Sequence, residues 1–383
     1  MNVNERYVLL GLRLGKHVDG LVDSYYGPGE LKEQADTEEL VPAEQLAADG
    51  AALVAELEDG WLRDCAQGLE TYARVLAGEP ISYSDEVEGC YGVRPERRDE
   101  SVFLAAHEHL DALLPGEGTL GERREAWRDQ NRVDPQKLMP IIHDLFALVR
   151  RRTDELFGLV DGEEITVDEV HDEPWWAFNY YQGNRRSHVV LNVDVPTTYD
   201  DLLDLCCHEG YPGHHTERST KEVVIVEGRG DITETINLVP TPVSLLAEGI
   251  ATTATDVLGP EAREEAFAIL RTHGVEYDHA RAREITDAYK PIGRIGVDVA
   301  LRIHEDGMSE DEAVAWAMKW GVTTEARAKQ GVRFVTDPTW RAYVICYGAG
   351  EELVRGYCKG DPARFKQLLN ENVRIRDLAA AAG

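Results

Sequence analysis

The sequence lacks the cysteine patterns that mark disulfide frameworks and structural metal sites. It holds six cysteines, and none of them forms a CxxC pair. Cys206 and Cys207 are adjacent, which is typical of two small buried side chains rather than of a disulfide. The N-terminus also lacks a long apolar core followed by a small-residue cleavage site. We therefore expect reduced thiols and a cytoplasmic location.

Basic residues are scarce relative to acidic ones. The chain has 40 Lys and Arg against 71 Asp and Glu, a formal net charge of −31 and a pI near 4.7. Nucleic-acid binding depends on cations that neutralise phosphates, and anionic membranes attract basic segments. An apolar run of about 18 residues, which a membrane span needs, is also missing. We therefore expect no nucleic-acid partner and no membrane association, and the sequence is silent on oligomeric state.

The chain shows no internal repeat and no low-complexity linker. Apolar residues make up 43% of it, which suffices for a sizeable core, so residues 1–383 are expected to form a single catalytic unit. Residues 1–160 are predicted to be its helical N-terminal part. Residues 161–383 are predicted to hold a small sheet, the metal site and the C-terminal helices. Helical periodicity is clear at Val8–Val22, Ala43–Leu57 and Trp61–Leu76.

Asp-Pro pairs predict three helix starts, because Asp is a good N-cap and Pro suits the first turn. These pairs are Asp134-Pro135, Asp337-Pro338 and Asp361-Pro362. Pro140 is expected to kink the first of these helices or to move its start. The predicted fold class is mainly α.

The segment from His188 to Val195 alternates apolar and polar residues, as a half-buried strand does. It follows an aromatic run, Trp175–Tyr181, and we predict strands only between about Ile165 and Val195. The expected sheet is small and antiparallel and lies beside the metal-binding helix. The strand could offer an edge to an extended peptide, or it could be a plain core strand.

Imidazoles and carboxylates cluster in a short segment that begins at His208. In ordinary zinc-hydrolase helices two His residues lie four apart and share one face. Here that fourth position is Pro212, and the next imidazoles are His214 and His215. On a straight helix His215 would lie about 10 Å along the axis from His208, too far to share an ion. A break in the helix at the Pro-Gly pair would bring one of these imidazoles close enough to His208 to share an ion. We favour His214 and keep His215 as the alternative.

Glu248 is the candidate third ligand. It lies in an apolar helical stretch, Ser244–Ala251, where an unpaired buried carboxylate would be costly. A bound cation would remove that cost; the alternative is an ion pair with Arg218 or Arg229. Two imidazoles and one carboxylate leave a fourth position for water, which is the pattern of catalytic zinc. We predict one Zn²⁺ per chain, although manganese or cobalt could occupy such a site.

Glu209 follows a predicted ligand directly and is the expected general base. In a zinc hydrolase the ion acidifies water and polarises the scissile carbonyl. Glu209 would then take the proton from water and pass it to the leaving amine.

A catalytic hydrolase also needs groups that stabilise the oxyanion and hold the substrate. Tyr343 and Tyr347 are four apart on the helix expected after Asp337, and they are the candidate donors. His215 could assist if it does not bind the metal. Arg341 and Arg333 are the candidate partners of a substrate carboxylate.

Two segments, His208–His215 and Ala247–Ala251, resemble domain-of-unknown-function family 885. Further likeness lies in Gly20–Pro28, Pro174–Tyr181 and Tyr343–Gly350, so the resemblance covers nearly the whole chain. That family resembles zinc peptidases of the carboxypeptidase Taq and oligopeptidase type. The resemblance therefore implies a large helical, gluzincin-like fold and metallopeptidase activity.

The residues and the resemblance together predict a zinc-dependent hydrolase that cleaves short peptides, of the carboxypeptidase or oligopeptidase type. One alternative is a zinc amidase or esterase that acts on a small metabolite. Another is a catalytically silent protein that binds metal or peptide. The intact His208-Glu209 pair favours turnover, because metal binding alone does not require Glu209.

Overall fold

The computed structural model describes residues 1–172 and 176–382. The chain is mainly helical, and the predicted fold class is confirmed. In chain order the α-helices are α1 (Val3–Leu14), α2 (Gly29–Thr37), α3 (Ala43–Glu56), α4 (Trp61–Leu76), α5 (Tyr83–Tyr91), α6 (Glu100–Leu113), α7 (Leu120–Gln130), α8 (Pro135–Phe157), α9 (Asp201–Glu209), α10 (His214–Lys221), α11 (Pro242–Thr272), α12 (His279–Gly293), α13 (Gly296–His304), α14 (Glu310–Trp320), α15 (Glu325–Thr336), α16 (Glu351–Cys358), α17 (Pro362–Asn370) and α18 (Ile375–Ala382).

Two of the three predicted Asp-Pro helix starts are confirmed. Asp134 and Asp361 cap α8 and α17 with their side chains, and a proline follows each cap. Pro140 lies inside α8 and does not move its start. The start at Asp337 is wrong, because Asp337 ends α15. Its carboxylate accepts the backbone N–H groups of the next few residues, which fold into turns instead of a helix.

Short strands outside the predicted region form a two-stranded antiparallel sheet. They are β1 (Val22–Tyr25) and β5 (Ile236–Leu238). The predicted helix from Val8 to Val22 therefore ends early, at Leu14, and its last residue begins β1. A four-residue strand whose partner lies more than 200 positions away leaves no local periodicity to detect.

The second sheet has three strands and is mixed. They are β2 (Glu164–Val170), β3 (Ala177–Gly183) and β4 (Arg186–Asn192), in the order β2-β4-β3. The β3–β4 pair is antiparallel, but the β2–β4 pair is parallel, so the expectation of an antiparallel sheet is wrong for that pair. The predicted strand is observed as β4 and lies in the centre of the sheet. It therefore offers no free edge to a peptide.

The core joins distant parts of the chain. One hydrophobic cluster contains residues from α1 to α18, including Tyr7 and Leu378. A second cluster packs α9 against α8, α11 and the three-stranded sheet, and it includes Cys206 and Cys207. All six cysteines are free and buried, as predicted for the adjacent pair. No helix among the described residues is long and apolar enough to cross a membrane.

Candidate metal and active site

The His-rich segment is a junction between two helices. α9 ends at Glu209 and α10 begins at His214, so the predicted break at the Pro-Gly pair is confirmed. The Gly213 N–H donates to the carbonyl of Cys207 at 2.9 Å, and the Gly213 carbonyl accepts the N–H of Glu217 at 3.0 Å. The second helix therefore begins directly against the end of the first.

Gly213 makes this close approach possible. A Cβ at this position would lie 2.1 Å from the His208 carbonyl oxygen and 2.3 Å from that of Cys207. Both neighbours are backbone atoms that no rotamer change can move. The junction brings the His208 and His214 rings to a centroid distance of 4.7 Å at 85°.

Glu248 completes the cluster from α11. Its carboxylate oxygens lie 3.5 Å from Nε2 of His208 and 3.6 Å from Nε2 of His214. One ligand atom from each of the three residues lies within 4.8 Å of the others. The structure therefore groups the three predicted ligands, with His214 rather than His215.

The donor set fits a divalent cation. Glu248 is only 6% exposed, and its Oε2 is buried without a hydrogen-bond donor in the described structure. An orphaned carboxylate oxygen in the interior is costly unless a cation or donor meets it. Neither Arg218 nor Arg229 forms an ion pair with Glu248 among the described residues, so that alternative is not supported.

The three side chains of the cluster have pKa values that are shifted in different directions. Burial raises the pKa of Glu248, but the close contact with His214 and the charges of both imidazoles more than offset this, and the pKa falls to about 2. Burial lowers the pKa of His214, yet Glu248 raises it to about 9. The pKa of His208 is lowered, chiefly by burial. Without a cation, His214 holds the proton that balances Glu248.

Glu209 lies at the end of α9 with its side chain at the cavity wall. The Asn179 amide of β3 donates to the Glu209 backbone carbonyl, which holds this helix end against the sheet. Burial raises the pKa of the Glu209 carboxyl group. Its carboxylate accepts no hydrogen bond from the described residues, so it remains available to a proton donor in the cavity.

The two tyrosines reach the cluster through a tight backbone crossing. A Cβ on Gly249 would lie 2.4 Å from the Gly350 carbonyl oxygen, so only hydrogens fit between these segments. This contact brings the Tyr343 hydroxyl to 2.7 Å from Oε1 of Glu248, to which it donates. The Tyr347 ring packs edge-on against Tyr343 at 5.5 Å and is 43% exposed at the cavity.

Two predicted site residues lie elsewhere. His215 is fully buried and bonds to Glu163 at 3.0 Å and to Ser187 at 2.8 Å. Adjacent helix positions point about 100° apart, so His215 faces the sheet when His214 faces the cavity. Arg341 forms two hydrogen bonds with the buried carboxylate of Glu86, at 3.1 and 2.6 Å, and does not line the cavity. Neither side chain is placed to contact a substrate there.

The cluster opens into a cavity of about 810 Å³. Arg333 lines it as an exposed side chain on α15. Several polar residues that line the cavity were not among the predicted site residues: Asp19, Asp23, Asn179, Arg218, Asn237 and Gln330. Two signals could have found some of them. Asp23 lies in one of the segments that resemble family 885, and Arg218 lies four positions after His214, on the same helix face.

The segments that carry the resemblance converge on this cavity. Each of them contributes at least one lining residue, although they are far apart in the chain. Pro174 and Trp175, which begin one of these segments, lie outside the described residues. These five segments therefore line one site.

No protein-family model matches the sequence, and no curated protein matches it. The fold is similar to a crystal structure described as "the putative lipoprotein from Colwellia psychrerythraea", with a TM-score of 0.54 and 15% identity. The match covers 92% of this chain and 64% of that chain. Likeness at this identity shows a shared fold alone, so the resemblance to family 885 stays a prediction.

Proposed function

We propose that the protein is a zinc-dependent hydrolase that cleaves the amide bond of short peptides. One observation carries the proposal. The Glu248 carboxylate is buried between two imidazoles, with one oxygen that receives no donor from the described residues, beside a second carboxylate that faces the cavity. Two His and one Glu match the ligand set of hydrolytic zinc enzymes.

A zinc ion held by His208, His214 and Glu248 would supply Lewis acidity to water and to the substrate carbonyl. Hydrolysis forms a C–O bond from water and breaks the C–N bond, so one proton must leave the water and reach the amine nitrogen. Glu209 is the group that accepts this proton and delivers it. Its buried position raises its pKa, which makes the carboxylate a stronger base for the first transfer, from water.

The two tyrosines have different roles in this proposal. Tyr343 already donates to Glu248 and so orients a ligand, as outer-shell partners of metal sites do. The Tyr347 hydroxyl makes no hydrogen bond with the described residues. Of the predicted oxyanion donors it is the one left available among the described residues, because Tyr343, His215 and Arg341 already bond to other side chains.

Removal of Glu248 is expected to empty the metal site. Glu248→Gln keeps the shape of the side chain but removes its charge, so zinc content should fall at least tenfold, as measured by elemental mass spectrometry after dialysis against a zinc buffer. Tyr343→Phe is the matched control, because it removes only the hydrogen bond to Glu248 and should keep most of the metal. Full zinc stoichiometry in Glu248→Gln would remove Glu248 from the ligand set.

Zinc binding is expected to release about one proton. His214, with a pKa of about 9, must lose its proton to bind the metal, whereas Glu248, with a pKa of about 2, is already ionised. The apparent affinity should therefore rise about tenfold per pH unit below pH 9. Calorimetry in buffers of different protonation enthalpy measures the proton count, near pH 6 so that zinc-bound water, with a pKa of about 7, does not contribute. Release of no proton would contradict this charge assignment.

Mass-spectrometric profiling of a diverse peptide mixture tests the function itself. Cleavage by the zinc-loaded wild type supports a peptidase, and the trimmed ends show which end of the peptide is cut. Hydrolysis of small amides with the peptide mixture left intact would favour an amidase instead. Retention of peptide without cleavage would favour a binding protein.

A further inference from the structure

Arg218 is a buried cation that has no partner among residues 1–172 and 176–382. It lies on α10, is 6% exposed and lines the cavity. It forms no hydrogen bond and no ion pair with the described residues. By contrast, Arg341, which does not line the cavity, is held by both oxygens of a buried carboxylate.

The nearby acids do not occupy its N–H groups. Glu217 bonds to Lys221 at 2.7 Å, and Asp23 accepts the Asn237 amide at 2.6 Å. Attraction from these acids and from Glu234 keeps Arg218 charged, but none of them reaches it with a hydrogen bond. The N–H groups of this largely buried side chain therefore have no acceptor among the described residues, and the cavity that Arg218 lines is where a ligand could supply one.

The distance from Arg218 to the candidate metal ligand His214 indicates which part of a substrate Arg218 could bind. It lies four residues after His214, about 6 Å along the same face of α10. The carboxylate of a C-terminal residue lies about one residue length, roughly 3.8 Å, beyond the scissile carbonyl. The planar guanidinium matches a carboxylate through two parallel hydrogen bonds.

We propose that Arg218 binds the free α-carboxylate of the substrate, so that the enzyme removes the C-terminal residue of a short peptide or N-acyl amino acid. This inference rests on the proposed hydrolase function. Arg333, the arginine predicted for this role, is exposed on α15 and keeps its hydration. A buried charge, such as that of Arg218, interacts more strongly with a charged ligand than an exposed and hydrated charge does, because the local dielectric constant is lower.

Binding without turnover tests the inference. Zinc-loaded Glu209→Gln protein is dialysed against a mixture of tripeptides of varied sequence, each present as the free acid and as the C-terminal amide. Mass spectrometry then measures how much of each form is retained. We expect free acids to be retained at least tenfold more strongly than the matching amides. The preference should disappear when Arg218→Gln is added and should return in part with Arg218→Lys.

Controls separate this result from trivial loss of the site. Zinc content and thermal unfolding are measured for each variant, and Arg94→Gln removes one exposed charge far from the cavity. If Arg218→Gln does not fold, the acid-to-amide ratio on Glu209→Gln and Arg218→Lys decides the question.

Three outcomes would overturn the inference: equal retention of acids and amides by Glu209→Gln, an acid preference that survives Arg218→Gln, or a preference that is lost with Arg333→Gln instead. Wild-type cleavage of acids and amides at equal rates would leave the hydrolase function intact and reject only the carboxylate site. Zinc-loaded wild type that cleaves neither form would count against the function, whereas retention of acids through Arg218 would still support the site.

Discussion

Glu209→Gln is expected to lower peptide hydrolysis by about 10²- to 10⁴-fold while zinc content stays unchanged, because a positioned general base contributes about this much. Glutamine has the shape of glutamate but cannot take a proton from water. The Glu209 side chain makes no hydrogen bond with the described residues, so its replacement breaks no contact that supports the fold. Rates of product formation and zinc content are measured on the same preparations.

A matched control exists within the chain. Glu108 follows His107 on α6, which repeats the His-Glu dipeptide on an exposed helix face away from the cavity. Glu108→Gln should leave both turnover and zinc content unaltered. Activity of Glu209→Gln within tenfold of the wild type, with full metal content, would show that another group accepts the proton.

Gly213→Ala is expected to destroy the metal site through the backbone. The added methyl group would lie 2.1 Å from the His208 carbonyl oxygen, so the start of α10 must move away from the end of α9. Such overpacking typically costs about 1–3 kcal/mol, and a clash with backbone atoms belongs at the upper end or beyond. His214 moves with its helix, so zinc content should fall together with the melting temperature.

Gly331→Ala is the control, because it is expected to change stability in the opposite direction. Gly331 lies inside α15, and a Cβ there meets nothing within 4 Å. Alanine in a helix interior is favoured over glycine by about 1 kcal/mol, so this variant should be slightly more stable than the wild type. Thermal unfolding in the presence of a chelator separates the effect on the fold from the effect of metal loss. Wild-type stability and zinc content in Gly213→Ala would mean that the helix junction differs from the one described.

Much of the site could be predicted from local sequence. His208 and Glu209 are marked by their residue types at the end of an apolar helical stretch, and Glu248 is marked as a lone carboxylate among apolar neighbours. The break at the Pro-Gly pair follows from backbone chemistry. These inferences succeed because each depends on residues within one or two helical turns.

The predictions that failed concern residues whose side chains are bound by partners far away in the sequence. Arg341 is bound by Glu86, which lies 255 positions away, and no local pattern reports that pairing. His215 is bound by Glu163, 52 positions away. In the same way β1 depends on β5 for its hydrogen bonds, and the parallel β2–β4 pair depends on a connection through β3.

Sequence alone therefore determined the helical class, the residue types of the candidate metal site and the position of the break between His208 and His214. Only the tertiary structure placed His214 rather than His215 beside Glu248, joined Tyr343 to Glu248 and put Arg218 on the cavity wall with no partner in the described part of the chain. The physical reason is the range of the interactions. Helix periodicity, capping and backbone chemistry act over a few residues, whereas the burial of a charge and the choice of its partner depend on which elements pack together.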